Sequence, residues 1–176
     1  AGLVGEDGAT HHGNFDLAYL RPVPNLTIAS PINELDLRNL MYTGYKTETG
    51  PFVIRYPCGK GELKKWQNKM EVLPVGKGKL LRNGSQLAVL SIGPIGNEVK
   101  KAMDLVEIDG LSVAHYDMIY LKPIDEELLH EIGKCFSRII TVENGTITGG
   151  LGSAVMEFMS ENEYNTHVKR VGIKDQ

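Results

Sequence analysis

Leu87-Ala-Val-Leu-Ser-Ile-Gly-Pro-Ile-Gly-Asn-Glu-Val-Lys-Lys-Ala-Met-Asp-Leu105 decides the fold. It reads as a strand over 87–92 followed by a helix over 97–105. The alternation continues: a strand over 112–116, a helix over 125–134, a strand over 138–142, a Gly-rich turn over 144–152, a helix opening at 153–159 and a last strand over 167–173. Strands that alternate with helices give an α/β fold with a mostly parallel sheet, whose strand C-terminal ends carry the site.

Upstream of this unit, residues 59–86 mix Gly59, Gly61, Gly76, Gly78 and Gly84 with seven Lys or Arg, and Asn83-Gly84 is a hairpin signal. This stretch reads as a linker with a small hairpin. Further upstream a second α/β pattern is visible. Residues 1–5 read as the end of a buried strand, 6–14 as a polar loop, 15–20 as a helical turn and 25–29 as a strand. A helix from Glu34 to Tyr45, capped by Asn33 or Ser30, has Leu35, Leu37, Leu40 and Met41 as its inward positions. A strand at 52–55 ends at Tyr56-Pro57. The expected organisation is therefore 1–58, a linker over 59–86, and 87–176.

Composition narrows the function. With 41% hydrophobic and 23% charged residues, the 176-residue chain is an ordinary globular one. A net charge of −3 lacks the basic footprint of a nucleic-acid or membrane-surface partner. No apolar run approaches the ~20 residues that cross a bilayer. Cys58 and Cys135 are isolated, without zinc spacing or a disulfide framework, so a reducing, cytoplasmic setting is the simplest expectation. The chain lacks an initial Met and begins and ends on strand-like segments, which leads us to expect a fragment.

Three segments carry candidate chemistry. In Asp7-Gly-Ala-Thr-His11, a carboxylate lies four residues from an imidazole it could orient, next to glycines that admit a ligand. The alternative is a polar turn in which Asp7 makes an Asx hydrogen bond and His11 caps a helix. His12 is the weaker histidine and the more structural of the two. In Arg55-Tyr-Pro-Cys-Gly-Lys60, Arg55 and Lys60 could hold a phosphate or carboxylate, or simply end a strand in solvent. Cys58 has no base in the sequence to activate it. Glu143-Asn-Gly-Thr-Ile-Thr-Gly-Gly-Leu-Gly152 precedes a helix as a phosphate cradle would, but a tight packing turn is favoured. His115 and His130 read as strand-face and helix-surface residues.

The run Ala1-Gly-Leu-Val-Gly-Glu-Asp-Gly-Ala-Thr-His-His-Gly13 resembles the 1-deoxy-D-xylulose-5-phosphate synthase family of transketolase-like enzymes. So do Phe15-Asp-Leu17, Tyr19-Leu-Arg21, Tyr42-Thr-Gly-Tyr45, Arg55-Tyr-Pro57, Leu121-Lys-Pro-Ile-Asp125 and Thr141-Val-Glu-Asn144. The resemblance implies part of a pyrimidine-binding domain followed by a transketolase C-terminal domain. It also implies a thiamine diphosphate- and Mg2+-dependent transferase that condenses pyruvate with D-glyceraldehyde 3-phosphate and releases carbon dioxide. Its product feeds isoprenoid, thiamine and pyridoxal synthesis. By the same resemblance the enzyme is a homodimer, and His11 lies against bound pyruvate with Asp7 in the same loop. The diphosphate domain, its magnesium motif and the glutamate facing the aminopyrimidine fall outside this stretch. No cofactor or metal ligand is thus expected here, and the stretch alone is expected to be inactive. The family usually has Arg where Cys58 stands, an Arg associated with the aldehyde's phosphate. Cys cannot make that bidentate contact, which leaves Arg55 or Lys60 as substitutes. Two alternatives accompany this reading: another transketolase-like or pyruvate dehydrogenase β-like thiamine enzyme, and a non-catalytic dimerisation module.

Overall fold

The structure, a computed structural model, describes residues 2–5, 8–48, 50–107 and 110–175. In chain order its elements are a 3-10 turn (Ala9–His11), α1 (Asp16–Leu20), β1 (Thr27–Ala29), α2 (Glu34–Lys46), β2 (Phe52–Ile54), β3 (Lys79–Arg82) and β4 (Leu87–Ile92). There follow α3 (Ile95–Glu107), β5 (Val113–Asp117), β6 (Tyr120–Lys122), α4 (Glu126–Cys135), β7 (Arg138–Thr146), α5 (Leu151–Glu161) and β8 (His167–Ile173).

The strands form two sheets, β2-β1-β6 and β3-β5-β4-β7-β8. In the larger sheet β5, β4, β7 and β8 run parallel, and β3 closes the β5 edge antiparallel. The mostly parallel α/β sheet read from the sequence is therefore present. Val89, Val99, Met103 and Val113 form the core under α3. The other face holds the main core, with Leu90, Ile92, Ala114 and Ile139 against Leu129 and Ile132 of α4 and Leu151 and Val155 of α5. Leu17 and Ile28 of the first layer belong to that same cluster, so the two layers share one core. Because β5 and β7 flank β4 on opposite sides, the chain reverses its winding between β4 and β7, the crevice where open α/β sheets bind ligands.

Asn33 caps α2, its Oδ1 accepting from the Asp36 amide at 2.9 Å. Asp125 caps α4, accepting from the Leu128 amide at 3.2 Å. The α2 helix starts where the sequence reading placed it, and α4 starts one residue later, with Asp125 as its cap instead of its first residue.

Four expectations are corrected. Asn83-Gly84 does not close a hairpin, because β3 and β4 lie on opposite sides of β5. The connection instead crosses the start of β5 so closely that a Cβ on Gly84 would lie 2.1 Å from the Val113 carbonyl carbon. Residues 79–82 thus form the edge of the large sheet. The strand expected at 1–5 amounts, among the described residues, to one bridge between Gly2 and Gly13. The inward face of α2 is also different: Asp36, Asn39, Leu40 and Thr43 are buried, whereas Met41 is 62% exposed. Finally β6, unforeseen, carries the chain out of the large sheet to pair antiparallel with β1.

Candidate active site

The His11 turn is the neck of a small closed loop. Gly2 and Gly13 exchange two backbone hydrogen bonds, of 3.0 and 2.9 Å. His12 Nδ1 accepts the Val4 amide at 3.0 Å, which fixes its neutral tautomer with the proton on Nε2. His12 is therefore the anchoring histidine. His11 ends the 3-10 turn, is exposed, and has Thr10 Oγ1 3.1 Å from its Nδ1. A Thr10 hydroxyl that donates to Nδ1 leaves the Nε2 proton on the ring's outer edge. Asp7, the other expected catalytic residue, lies outside the described residues.

Arg55 is placed differently from the expectation of a substrate ligand. Its side chain is buried, and its Nη2 donates to the carbonyl of Gly13 at 2.9 Å and to the carbonyl of Asn144. Its Nε lies 3.5 Å from Asp16 Oδ2. Burial lowers the guanidinium pKa, and Asp16 and Glu143 oppose that shift. A guanidinium so engaged serves the protein's own carbonyls, and it is not presented to an incoming phosphate. The backbone is equally committed: the Arg55 amide donates to Ala29 O at 2.8 Å and its carbonyl accepts from Ser30 Oγ at 2.7 Å.

Lys60 is exposed in the following turn. It lines a cavity of about 310 Å³ with Pro31, Asn33, Tyr56 and Pro57, but also with Glu34 and Glu62. Those carboxylates weaken the cavity's attraction for a phosphate. Cys58 is exposed as well. Arg55 therefore meets the His11 loop, whereas Lys60 stands by the N-terminus of α2.

The Gly-rich turn after β7 has the geometry of an anion cradle, but its anion is internal. Glu143 Oε2 accepts the Leu151 amide at 3.0 Å and Oε1 the Gly152 amide at 2.9 Å, both at the N-terminus of α5. Burial raises the Glu143 pKa, while these amides and the charges of Arg55 and Arg170 hold it down. A Cβ on Gly150 would lie 1.9 Å from Glu143 Oε2, so the turn has space for this carboxylate only because residue 150 lacks a side chain. The sequence signal for this was present in the glutamate seven residues before Gly150.

Glu143 pairs with Ile92 across β4 and β7, at the point where the winding reverses. The first layer fills that crevice. Arg55 reaches Asn144 there, Asn14 O accepts the Thr146 amide at 2.8 Å, and Asn97 Nδ2 donates to Ile32 O at 2.9 Å. The ligand position of the large sheet is thus occupied by protein, and the His11 loop sits where the layers join.

A second polar group lies toward α3. His115 is fully buried, with Nε2 2.8 Å from Ser91 Oγ. Asp117, also fully buried, accepts the Ile119 amide at 3.2 Å. Among the described residues no three His, Cys, Asp or Glu come together as a metal site. None of the described helices is long and apolar enough to cross a membrane.

Comparison with known proteins places these features. The model of the transketolase C-terminal domain matches residues 76–176, and that of the transketolase pyrimidine binding domain matches residues 1–62. The chain is 73% identical over 175 residues to the 1-deoxy-D-xylulose-5-phosphate synthase of Parabacteroides distasonis, covering 99% of this chain and 28% of that protein. It is 60% identical over 177 residues to the synthase of Bacteroides thetaiotaomicron, covering 100% and 27%. With the Chlorobaculum tepidum synthase it shares 44% over 159 residues, covering 90% and 25%. The chain thus spans little more than a quarter of the length of these curated relatives. Among solved structures, a split-gene transketolase described as an inactive β4 tetramer superposes with a TM-score of 0.83 at 32% identity. That match covers 96% of this chain and 55% of the other.

Proposed function

The chain belongs to the transketolase family, and on that premise we propose that it forms part of a 1-deoxy-D-xylulose-5-phosphate synthase. The substrates would be pyruvate and D-glyceraldehyde 3-phosphate, and the products the deoxy-sugar phosphate and carbon dioxide. The observation that carries this is the 73% identity with a synthase along 99% of the chain. The pinned loop supports it, because it holds an exposed imidazole at the junction of the two layers.

In this reading His11 exchanges a proton or hydrogen-bonds with oxygen on the reacting pyruvate, and the loop fixes where the ring stands. Thiamine diphosphate, with Mg2+, would supply the decarboxylation and carbon–carbon bond chemistry. The described residues do not fit that cofactor's diphosphate and metal. They hold no metal cluster, and Glu143 already occupies the N-terminus of α5. We therefore propose other segments of the synthase for the diphosphate and metal, and derive no step through the cofactor here. The division into 1–58, 59–86 and 87–176 stands as a proposal, with the second layer's first strand inside the middle segment. Assembly as a homodimer and a cytoplasmic location belong to the same proposal.

A second reading is a β-type subunit of a split transketolase, favoured by the 0.83 TM-score with such a chain. One experiment separates the two. This chain replaces the matching segment of the Parabacteroides distasonis synthase, and the chimera is incubated with pyruvate and D-glyceraldehyde 3-phosphate. Formation of 1-deoxy-D-xylulose 5-phosphate supports the synthase. Transfer only from a ketose donor supports the split transketolase.

A further inference from the structure

We propose that Arg55 is a positioning residue for the His11 loop and not a ligand for substrate phosphate. This rests on the catalytic reading of His11. Two segments distant in sequence, residues 13–16 and Asn144, converge on this one side chain. The loop's closing residue, Gly13, and the β7 residue Asn144 both accept from Nη2, and Asp16 at the start of α1 balances the charge. The Arg55 backbone is held on the small sheet by Ala29 and Ser30. One guanidinium therefore ties the base of the imidazole-bearing loop to both layers at once. The two hydrogens of Nη2 lie in the plane of a rigid guanidinium and point in fixed directions to two carbonyls from different segments, whereas an ammonium is a flexible point charge.

The consequence is directional. Two further anchors among the described residues, the Gly2–Gly13 bridge and the His12–Val4 bond, close the loop on itself. Arg55 is the side chain that orients the closed loop relative to the large sheet, beside the backbone bond from the Thr146 amide to Asn14 O. Its loss would leave a formed loop with a wandering His11. The chemical step would suffer before binding of either substrate did.

The test combines hydrogen exchange on the 176-residue chain with kinetics on the chimera. In Arg55→Gln, exchange at the Val4, His11 and Gly13 amides is expected to rise about tenfold or more, while amides of β4 keep their protection. Arg55→Lys is expected to fall between parent and Gln variant, and it decides the matter if the Gln variant does not fold. In the chimera, Arg55→Gln should lower kcat with little change in the aldehyde KM. Parental exchange at all three amides in a folded variant would overturn the inference, as would a raised aldehyde KM with kcat intact. His11→Ala provides the reference. If it leaves turnover unchanged while Arg55→Gln still loosens the loop, the catalytic reading has failed and the clamp has not.

Discussion

Glu143 shows how much one buried carboxylate can decide. It is 3% exposed, and its two oxygens take the first amides of α5 beside the charge of Arg55. Glu143→Ala should therefore destabilise the chain by about 2–3 kcal/mol in urea unfolding, since it strands two helix amides and removes one of the two carboxylates that oppose the Arg55 charge. A loss below about 0.5 kcal/mol would mean that the cap is idle. Cys58 makes the opposite case, an exposed residue whose interest is chemical. Arg55 is engaged internally, and Lys60 shares its cavity with Glu34 and Glu62. Cys58→Arg in the chimera should thus lower the aldehyde KM by about three- to tenfold by restoring a fork for phosphate. An unchanged KM means that another group already holds it. At this scale the sequence identified the residue types but not their direction. His11 and Arg55 both stood out, yet only the fold shows one facing outward and the other turned in toward carbonyls 42 and 89 residues away.

Among the elements, α2 departs furthest from its pattern. Its leucines and Met41 suggested an apolar inward stripe, but the buried face is partly amide chemistry. Asn39 Oδ1 accepts the Glu71 amide at 3.1 Å, and Thr43 Oγ1 accepts the Leu73 amide at 2.8 Å. These polar side chains fasten the strap after the R-Y-P turn, whose Leu73 and Val75 then pack against Ala29, Leu40 and Tyr120. Thr43→Val keeps the shape and removes the acceptor. It should cost about 1–3 kcal/mol and speed exchange at the Leu73 amide, whereas unchanged protection there would show that water satisfies the strap. Strands that alternate regularly with helices were legible because each buries a short apolar run. β6 was not, because it depends on Ile119 adopting a φ of 53°, a conformation β-branched residues avoid. That turn is imposed by tertiary pairing with β1, and nothing local announces it.

The whole molecule is two α/β layers joined through the crevice in which such a sheet would otherwise bind a ligand. Buried ionisable groups near α3 report on this packing. Burial pushes Asp117 up to about 7, aided by Asp36 and opposed by the Ile119 amide, Lys79 and Lys100. Burial pulls His115 down to about 4, with Lys100 and Arg82 adding to the shift. The two act in opposite senses. A raised carboxyl pKa stabilises the fold below about 4, and that contribution is lost as pH climbs to about 7. A lowered imidazole pKa stabilises it above 6.5, and that contribution is lost as pH falls to about 4. Asp117→Asn should accordingly gain on the parent as pH rises from 4 to 7, by up to about 3 kcal/mol. His115→Leu should gain as pH falls through the same window. Urea unfolding at pH 4.5 and 7.5 reads both, and differences independent of pH would remove this picture. The layered fold was legible in the chain's alternating runs, but the way the layers interlock was not, because it depends on contacts between carbonyls and side chains far apart in sequence. The central claim is that this interlock presents His11 to the reaction, and turnover of the chimera at saturating pyruvate tests it most directly. With His11→Ala, kcat should fall by about 10²-fold while the pyruvate KM changes little; a variant that turns over at the parental rate would contradict it.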